Sequence, residues 1–389
     1  MKTPSTYPLF LLIILLALSG CNSKNGSDET GLLVVDVEKK HPSKRLSLQE
    51  IAYVEYIPLE TSEDFLWTGT PDAFTNQYII NKNLTAGTIM FFDKKGKTSH
   101  SFNRQGNGAE EYAPYSPVLF DEEHQEVIVN DVRKAKLYIY DLQGRFKRNL
   151  NFPEGKYYNH LVSFDDNSYI AYNMEYDDAK PNTYQFLSKE TGEIVDEIVI
   201  PATGEKISEF VKIPRGDFTV MFTFQTYPII TTSSGLILHE LSNDTIFGIN
   251  TSKELQPLYI QTPSRASMDP QLILYPAANT RDHLFFYTVE KKFDDNTRKG
   301  FEEKYIMYEK NTKAFFEPEI YNADYVSEKV VNPFITTFSD GKSMTYVKVL
   351  NTIDLIESYE KGDLKGELKE IASRLDEEDN PVLMVITYK

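Results

Sequence analysis

Short apolar stretches alternate with polar turns along almost the whole chain. Glu126-Val127-Ile128-Val129-Asn130 and Ser168-Tyr169-Ile170-Ala171-Tyr172 are apolar runs of strand length, rich in β-branched and aromatic residues. Phe91-Phe92-Asp93-Lys94-Lys95-Gly96-Lys97 returns as Ile139-Tyr140-Asp141-Leu142-Gln143-Gly144-Arg145, and more faintly as Phe186-Leu187-Ser188-Lys189-Glu190-Thr191-Gly192-Glu193. The glycines at 96, 144 and 192 are spaced by 48 twice, a period that marks a solenoid, propeller or array. In the first two copies Asp takes the first position of a type I turn and Gly the fourth, so each copy predicts a hairpin. Ile246 to Lys253 and Ile306 to Lys313 are degenerate copies about 60 residues apart.

The ends of the chain bear on how the repeats close. Glu50 to Glu60 reads as a strand ahead of the first unit, and Pro381 to Tyr388 as a strand at the C-terminus. Pairing one with the other completes a blade and removes an open edge. The expectation is an all-β chain: a six-bladed β-propeller of four-stranded antiparallel blades, with the N-terminal strand entering the last sheet. Stacked hairpins in one or two sandwiches are the competing arrangement. One segment departs from the strand pattern. Leu364, Leu368, Ile371 and Leu375 recur at helical spacing after Asp363, which predicts one amphipathic helix inserted near the C-terminus, and Asn380-Pro381 ends the break and restarts the strand.

At the N-terminus, Lys2 precedes an apolar run from Leu9 to Leu18, the layout of a secretory signal peptide and too short to span a bilayer. Cys21 is the only cysteine, and Leu18-Ser19-Gly20-Cys21 resembles the bacterial lipobox. The resemblance implies a signal peptide over 1–20, cleavage before Cys21 and diacylation of its thioether, palmitate among the chains. Residues 21–45 then form the lipidated cysteine and a flexible tether, and 46–389 the propeller. Asn22 to Thr30 has the small, polar composition of such a tether. An outer-membrane lipoprotein facing the periplasm or the cell surface follows.

Composition narrows the partners. The chain of 389 residues carries net charge −17, or −18 without Lys2, which excludes nucleic acid and disfavours phosphate-rich ligands. With 25 Tyr and 24 Phe, an aromatic and acidic surface suits a neutral glycan or a peptide.

Several segments together carry a resemblance: Tyr56-Ile57-Pro58-Leu59-Glu60, the Asp-x-x-Gly hairpins, Gly106-Asn107-Gly108-Ala109-Glu110-Glu111-Tyr112, Ser242-Asn243-Asp244-Thr245-Ile246-Phe247 and Asn380-Pro381-Val382-Leu383. With the lipobox they make the chain similar to the six-bladed, NHL-like β-propeller lipoproteins of Bacteroidetes over nearly all of its mature length. The resemblance implies fold and envelope location, not a particular activity. Ala109 and Glu110 stand where that family usually has Pro-Gly.

Chemistry is sparsely marked. No zincin, serine-hydrolase, P-loop or paired-cysteine motif occurs. The six histidines, His41, His100, His124, His160, His239 and His283, are scattered, although a propeller can converge one residue per blade. Acidic pairs at Asp121-Glu122-Glu123, Asp165-Asp166, Asp177-Asp178 and Asp294-Asp295-Asn296 have the ligand type for calcium or another divalent metal but no EF-hand spacing; no cofactor is expected from a local motif. Arg104, Glu111 and Tyr112 of the glycine loop, with Asp131 and Arg133 after an inner strand, are the candidate ligand-binding residues. No catalytic residue is assigned. The expected function is a lipid-anchored binding or scaffolding module for glycan or peptide. A metal-dependent hydrolase or lyase with its site on the propeller axis, and an accessory subunit docking a protein partner in an outer-membrane complex, stay as alternatives.

Overall fold

The computed structural model describes residues 32–389 apart from 178, 295–296, 335–336 and 340–343; Cys21, the tether to Thr30 and parts of two acidic pairs, Asp178 and Asp295-Asn296, lie outside the described residues. Six antiparallel sheets form a propeller. Blade 1 spans Ala73–Phe74 to Thr98–Phe102, blade 2 Val118–Asp121 to Phe146–Asn151, and blade 3 His160–Ser163 to Ile194–Ile198. Blade 4 runs from Ile229–Thr232 to Leu255–Thr262, blade 5 from Leu272–Asn279 to Ala314–Tyr321, and blade 6 from Thr337–Ser339 through Met344–Leu350 to Val382–Tyr388. First strands meet near the axis, those of blades 1 and 2, of 3 and 4, and of 4 and 6 in contact, and the apolar clusters lie between successive blades. Up-and-down strands put the blade-to-blade connections on one face with each second-to-third-strand turn; the remaining hairpin turns lie on the other.

The repeated hairpin has the anticipated turn. Asp93 Oδ1 accepts from Lys95 N and Lys97 N at 2.8 and 2.9 Å, and Asp141 Oδ1 from Gln143 N and Arg145 N at 3.0 and 2.9 Å. Gly96, Gly144 and Gly192 adopt φ of 80°, 74° and 79°, a region L side chains avoid. Each also touches the last residue of the preceding blade's outer strand. A Cβ would stand 2.3 Å from Pro58 O, 2.4 Å from Phe102 Cγ and 2.6 Å from Asn151 O, respectively. In the degenerate copies Lys253 (φ 63°) and Lys313 (φ 56°) occupy the glycine slot.

The ring closes as expected. β3 (Ala52–Pro58) pairs antiparallel with Val382–Tyr388, from Ala52 opposite Tyr388 to Pro58 opposite Val382. Asn380 secures the junction: its Nδ2 donates to Glu60 O and Phe65 O at 2.8 and 2.6 Å, and its Oδ1 accepts from Trp67 N at 2.9 Å. Two further strands begin ahead of residue 46, where the propeller was expected to start. β1 (Leu33–Asp36) adds parallel to Leu255–Thr262 of blade 4, and β2 (Ser43–Ser47) parallel to Ala314–Tyr321 of blade 5. These blades therefore have five strands, and the N-terminal segment runs as a belt over the outer edges of blades 4, 5 and 6. Val35 is fully buried in the blade 4/5 cluster, which is why this stretch is ordered rather than free.

A short α1 (Leu48–Ile51) joins β2 to β3. The expected helix is α3 (Gly366–Ala372), with Leu368 buried and Ile371 and Leu375 packed alongside. It is preceded by α2 (Thr352–Glu360), where Asn351 Oδ1 caps Ile353 N at 2.9 Å. Lys365, not Asp363, is the N-cap of α3; the Asp363 carboxylate instead accepts from Ser327 N and Oγ at 2.7 and 2.8 Å.

Candidate functional site

The glycine loop joins blade 1 to blade 2 on the connecting face, and its named residues are spent largely on holding it. Tyr112 is fully buried and donates to Gly87 O at 2.7 Å; burial pushes its hydroxyl up to about 12. Glu111 Oε2 accepts from Gly108 N at 2.8 Å, and Arg104 Nε donates to Gly144 O at 2.8 Å. Asp131, also fully buried, accepts from Ala113 N at 2.7 Å. Tyr112 and Asp131 both bear on Lys82, whose ammonium lies 4.9 Å from the Tyr112 ring, feels the Asp131 charge and donates to Ser116 O at 3.0 Å. Arg133 is exposed. Structure thus gathers two of the five around a buried lysine that sequence reading did not mark.

A different cluster on the same face has the features of a binding site. The connection from blade 3 to blade 4 carries an inserted hairpin, Phe210–Arg215 paired with Phe218–Thr223. Phe222 stacks on Phe293 of blade 5 with ring centroids 3.8 Å apart. Near the base of the hairpin a cavity of about 100 Å³ is bordered by Tyr172, Asn182, Glu209, Thr226 and His239, with Tyr176 and Phe210 among its aromatic walls. Tyr176 is exposed and stacks with Phe210 at 6.3 Å, offering an aromatic face beside polar groups.

The Ser242-Asn243-Asp244 stretch follows the lining residue Leu241 and fastens the surrounding segments. Ser242 Oγ accepts from Ile207 N at 2.9 Å, Asn243 Nδ2 donates to Pro201 O at 2.7 Å, and Asp244 Oδ1 accepts from Arg265 N at 2.8 Å, so three side chains pin two connections. Beneath them Glu240 accepts from Tyr172 OH and Asn182 Nδ2 at 2.9 and 3.0 Å. Arg265, 1 % exposed, donates through Nη1 to Glu240 O and Leu241 O and through Nε to Gln261 Oε1, all at 3.0 Å. Such complete pairing is what a buried guanidinium requires; burial still draws it down to about 10.

His239 Nε2 lies 2.9 Å from Leu274 O and 3.1 Å from Arg265 Nη2. Burial, then the Arg265 charge, holds the imidazole well below its ordinary value, so it stays neutral in either tautomer. Burial pushes the Glu209 carboxyl upward, against a hydrogen bond from Thr226. A neutral imidazole and a desolvated carboxyl bordering one small cavity are suited to hydroxyl or amide groups of a ligand. The depressed His239 also sets a pH dependence. Between 6.5 and its folded value the unfolded chain binds a proton that the folded chain does not, so stability is full above about 6.5 and is lost as pH falls. His239→Gln is expected to flatten the fall between pH 7 and 5 by up to about 1.4 kcal/mol per pH unit, read from urea midpoints; a slope equal to the wild type refutes the assignment.

Among the described residues no three His, Cys, Asp or Glu side chains are grouped to hold an ion. His100 stacks on Phe91 and His41 on Phe315, while Asp121 accepts from His124 and Lys189. No described helix is long and apolar enough to cross a membrane.

Fold and site together define a six-bladed β-propeller with a small, mixed aromatic and polar cavity on its connecting face. The chain belongs to the family described as Domain of unknown function (DUF4934), whose model matches residues 32–387. No curated protein matches the sequence. Among solved structures it is similar to BF0058 of Bacteroides fragilis NCTC 9343, assigned as exported: 16 % identity over 92 % of this chain and 99 % of that one, TM-score 0.64. A DUF4221 member from Bacteroides vulgatus aligns at 12 % identity over 87 % and 97 %, TM-score 0.48. Virginiamycin B lyase from Staphylococcus aureus aligns at 11 % over 86 % and 99 %, TM-score 0.37. These likenesses concern the fold; at such distances no substrate or reaction transfers.

Proposed function

We propose that the protein is a lipid-anchored binding module of the cell envelope that holds the end of a neutral glycan in the cavity beside the inserted hairpin. The observation carrying this reading is the exposed Tyr176 ring stacked on Phe210 beside Asn182, Glu209 and His239. A sugar presents an apolar face to the ring and hydroxyls to the polar wall. A volume of about 100 Å³ takes one terminal group rather than a whole chain of residues. Net charge of −17 works against acidic ligands. A thermal-shift screen of neutral glycans and peptides tests it, because a ligand that binds only the folded state raises the midpoint. A saturable shift with a glycan that weakens about tenfold in Tyr176→Ala, or about 1.4 kcal/mol, is expected. A shift with peptides alone, or a glycan shift indifferent to Tyr176→Ala, overturns it.

The anchor rests on the lipobox around Cys21, and the export assignment of BF0058 agrees with it. Cys21→Ser is expected to abolish incorporation of labelled palmitate and release the protein from membranes, since several acyl chains are needed for stable attachment. Undiminished labelling of the variant refutes the assignment.

A further inference from the structure

At the junction of blades 4 and 5, on the face opposite the hairpin cavity and reaching Met344 and Tyr346 of blade 6, lies a larger hollow of about 260 Å³. Its origin is legible in the repeat. In each of blades 1 to 5 the residue two places before the opening of the conserved hairpin turn sits on the third strand, on the side of the following blade. These residues are Phe91, Ile139, Phe186, Gly248 and Met307. Four of the five are large, fully buried side chains that fill the junction with the next blade. The fourth is glycine, and the hollow adjoins it.

Backbone conformation does not demand that glycine. Gly248 lies outside the left-handed region, and an added Cβ would meet only the flexible end of Leu258, at 3.2 Å. The inner strand of blade 5 is small as well where it crosses the hollow: Pro276, Ala277 and Ala278 line it there, Ala278 on the side of blade 6. Interiors normally close such gaps, so two walls reduced at the same level amount to a built cavity.

We propose that this hollow is a second binding site, for a neutral and largely apolar small molecule carrying one hydroxyl or amide end. Apart from Tyr259 and Tyr346, no described lining residue is ionisable, although the chain holds 58 Asp and Glu and 41 Lys and Arg. Apolar walls come from Leu236, Ile237, Phe285, Phe286 and Met344, while Ser233, Ser234, Gln256 and Asn279 supply neutral hydrogen-bonding groups. A dry cavity of about 150 Å³ accepts benzene, so this one has room for a fused two-ring body. A charged ligand would have to shed its hydration against walls that offer no counter-charge.

The test uses the full chain and two probes of one shape, neutral 2-naphthol and anionic 2-naphthoate, titrated at pH 7. Saturable binding of naphthol, with naphthoate at least about tenfold weaker, is expected. Gly248→Leu restores the bulk present in the other blades and is expected to abolish naphthol binding while keeping or raising the melting midpoint. Equal binding of the two probes, or naphthol binding unchanged in Gly248→Leu, overturns the proposal. Should Gly248→Leu fail to fold, 4-bromophenol soaked into wild-type crystals decides: bromine between Gly248 and Ala278 supports the site, and bromine elsewhere or nowhere overturns it. Tyr176→Ala is expected to leave naphthol binding unchanged, which separates this site from the one on the opposite face.

Discussion

Gly144→Ala is expected to destabilise the propeller by about 3 to 4 kcal/mol, whereas Gly155→Ala should cost only about 1 kcal/mol. Both glycines have φ of 74°, so the intrinsic cost of placing an L residue there, roughly 1–2 kcal/mol, is common to the two. They differ in surroundings. Nothing lies within 4 Å of a Cβ at Gly155, while at Gly144 the methyl would stand 2.4 Å from Phe102 Cγ. Phe102 is nearly buried in the cluster between blades 1 and 2, and moving it costs about another 1–3 kcal/mol of packing. Against a total stability of about 5–15 kcal/mol, the difference is easily read in urea midpoints. Equal losses in the two variants would mean that the close approach between blades is not what the repeat glycine serves.

Ring closure is expected to be indispensable where the rest of the belt is not. A chain beginning at residue 48 lacks β1 and β2 but keeps β3, and should unfold cooperatively with a lowered midpoint. A chain beginning at residue 59 should show no cooperative transition and should bind hydrophobic dye. Removing β3 takes Tyr56 and Ile57 out of their clusters, each buried side chain contributing about 1.5–3 kcal/mol. It also bares the edge of Val382–Tyr388, whose residues Val382 to Ile386 are buried, and such an edge invites pairing with other chains. A cooperative melt from residue 59 onward would show that the velcro of the last blade is dispensable.

Features set by local chemistry could be read from the sequence, and those set by distant packing could not. Asp93, Gly96 and their counterparts specify their own turns, which is why the period and the blade count emerge from the chain alone. Pro381 to Tyr388 and Glu50 to Glu60 are each apolar on the strand pattern, and a ring has only one way to use two such ends. β1 escaped notice because its signal, Leu32-Leu33-Val34-Val35, is four residues beside a polar segment, and its partner lies more than 200 residues away. Helix α3 was visible through Leu368 and Ile371; its true start at Lys365 was not, because Asp363 is drawn off by Ser327. Arg104, Glu111 and Tyr112 drew attention as chemically capable side chains, but capability does not distinguish a residue that meets a ligand from one that ties a loop. The cavity near the inserted hairpin gathers Asn182 and His239 from turns within blades 3 and 4 and Glu209 from the connection between them, so no window of sequence contains it. A usable clue was present in Ser242-Asn243-Asp244, whose three short polar side chains beside an apolar strand each anchor another segment.

The belt has a mechanical consequence. Its strands are laid down in series, β1 on blade 4, β2 on blade 5 and β3 on blade 6, so a pull entering at residue 32 reaches them in turn. Leu33 is the end of β1 nearest the pull, so the short β1 ladder on Leu255–Thr262 bears the load first. β2 follows, held additionally by Arg45 on Glu319 and Glu328, and only then does the load reach the strand that closes the ring. Each yielding step releases slack while the blades stay joined, so a pull on the N-terminal end would lengthen the free segment before it opened the ring.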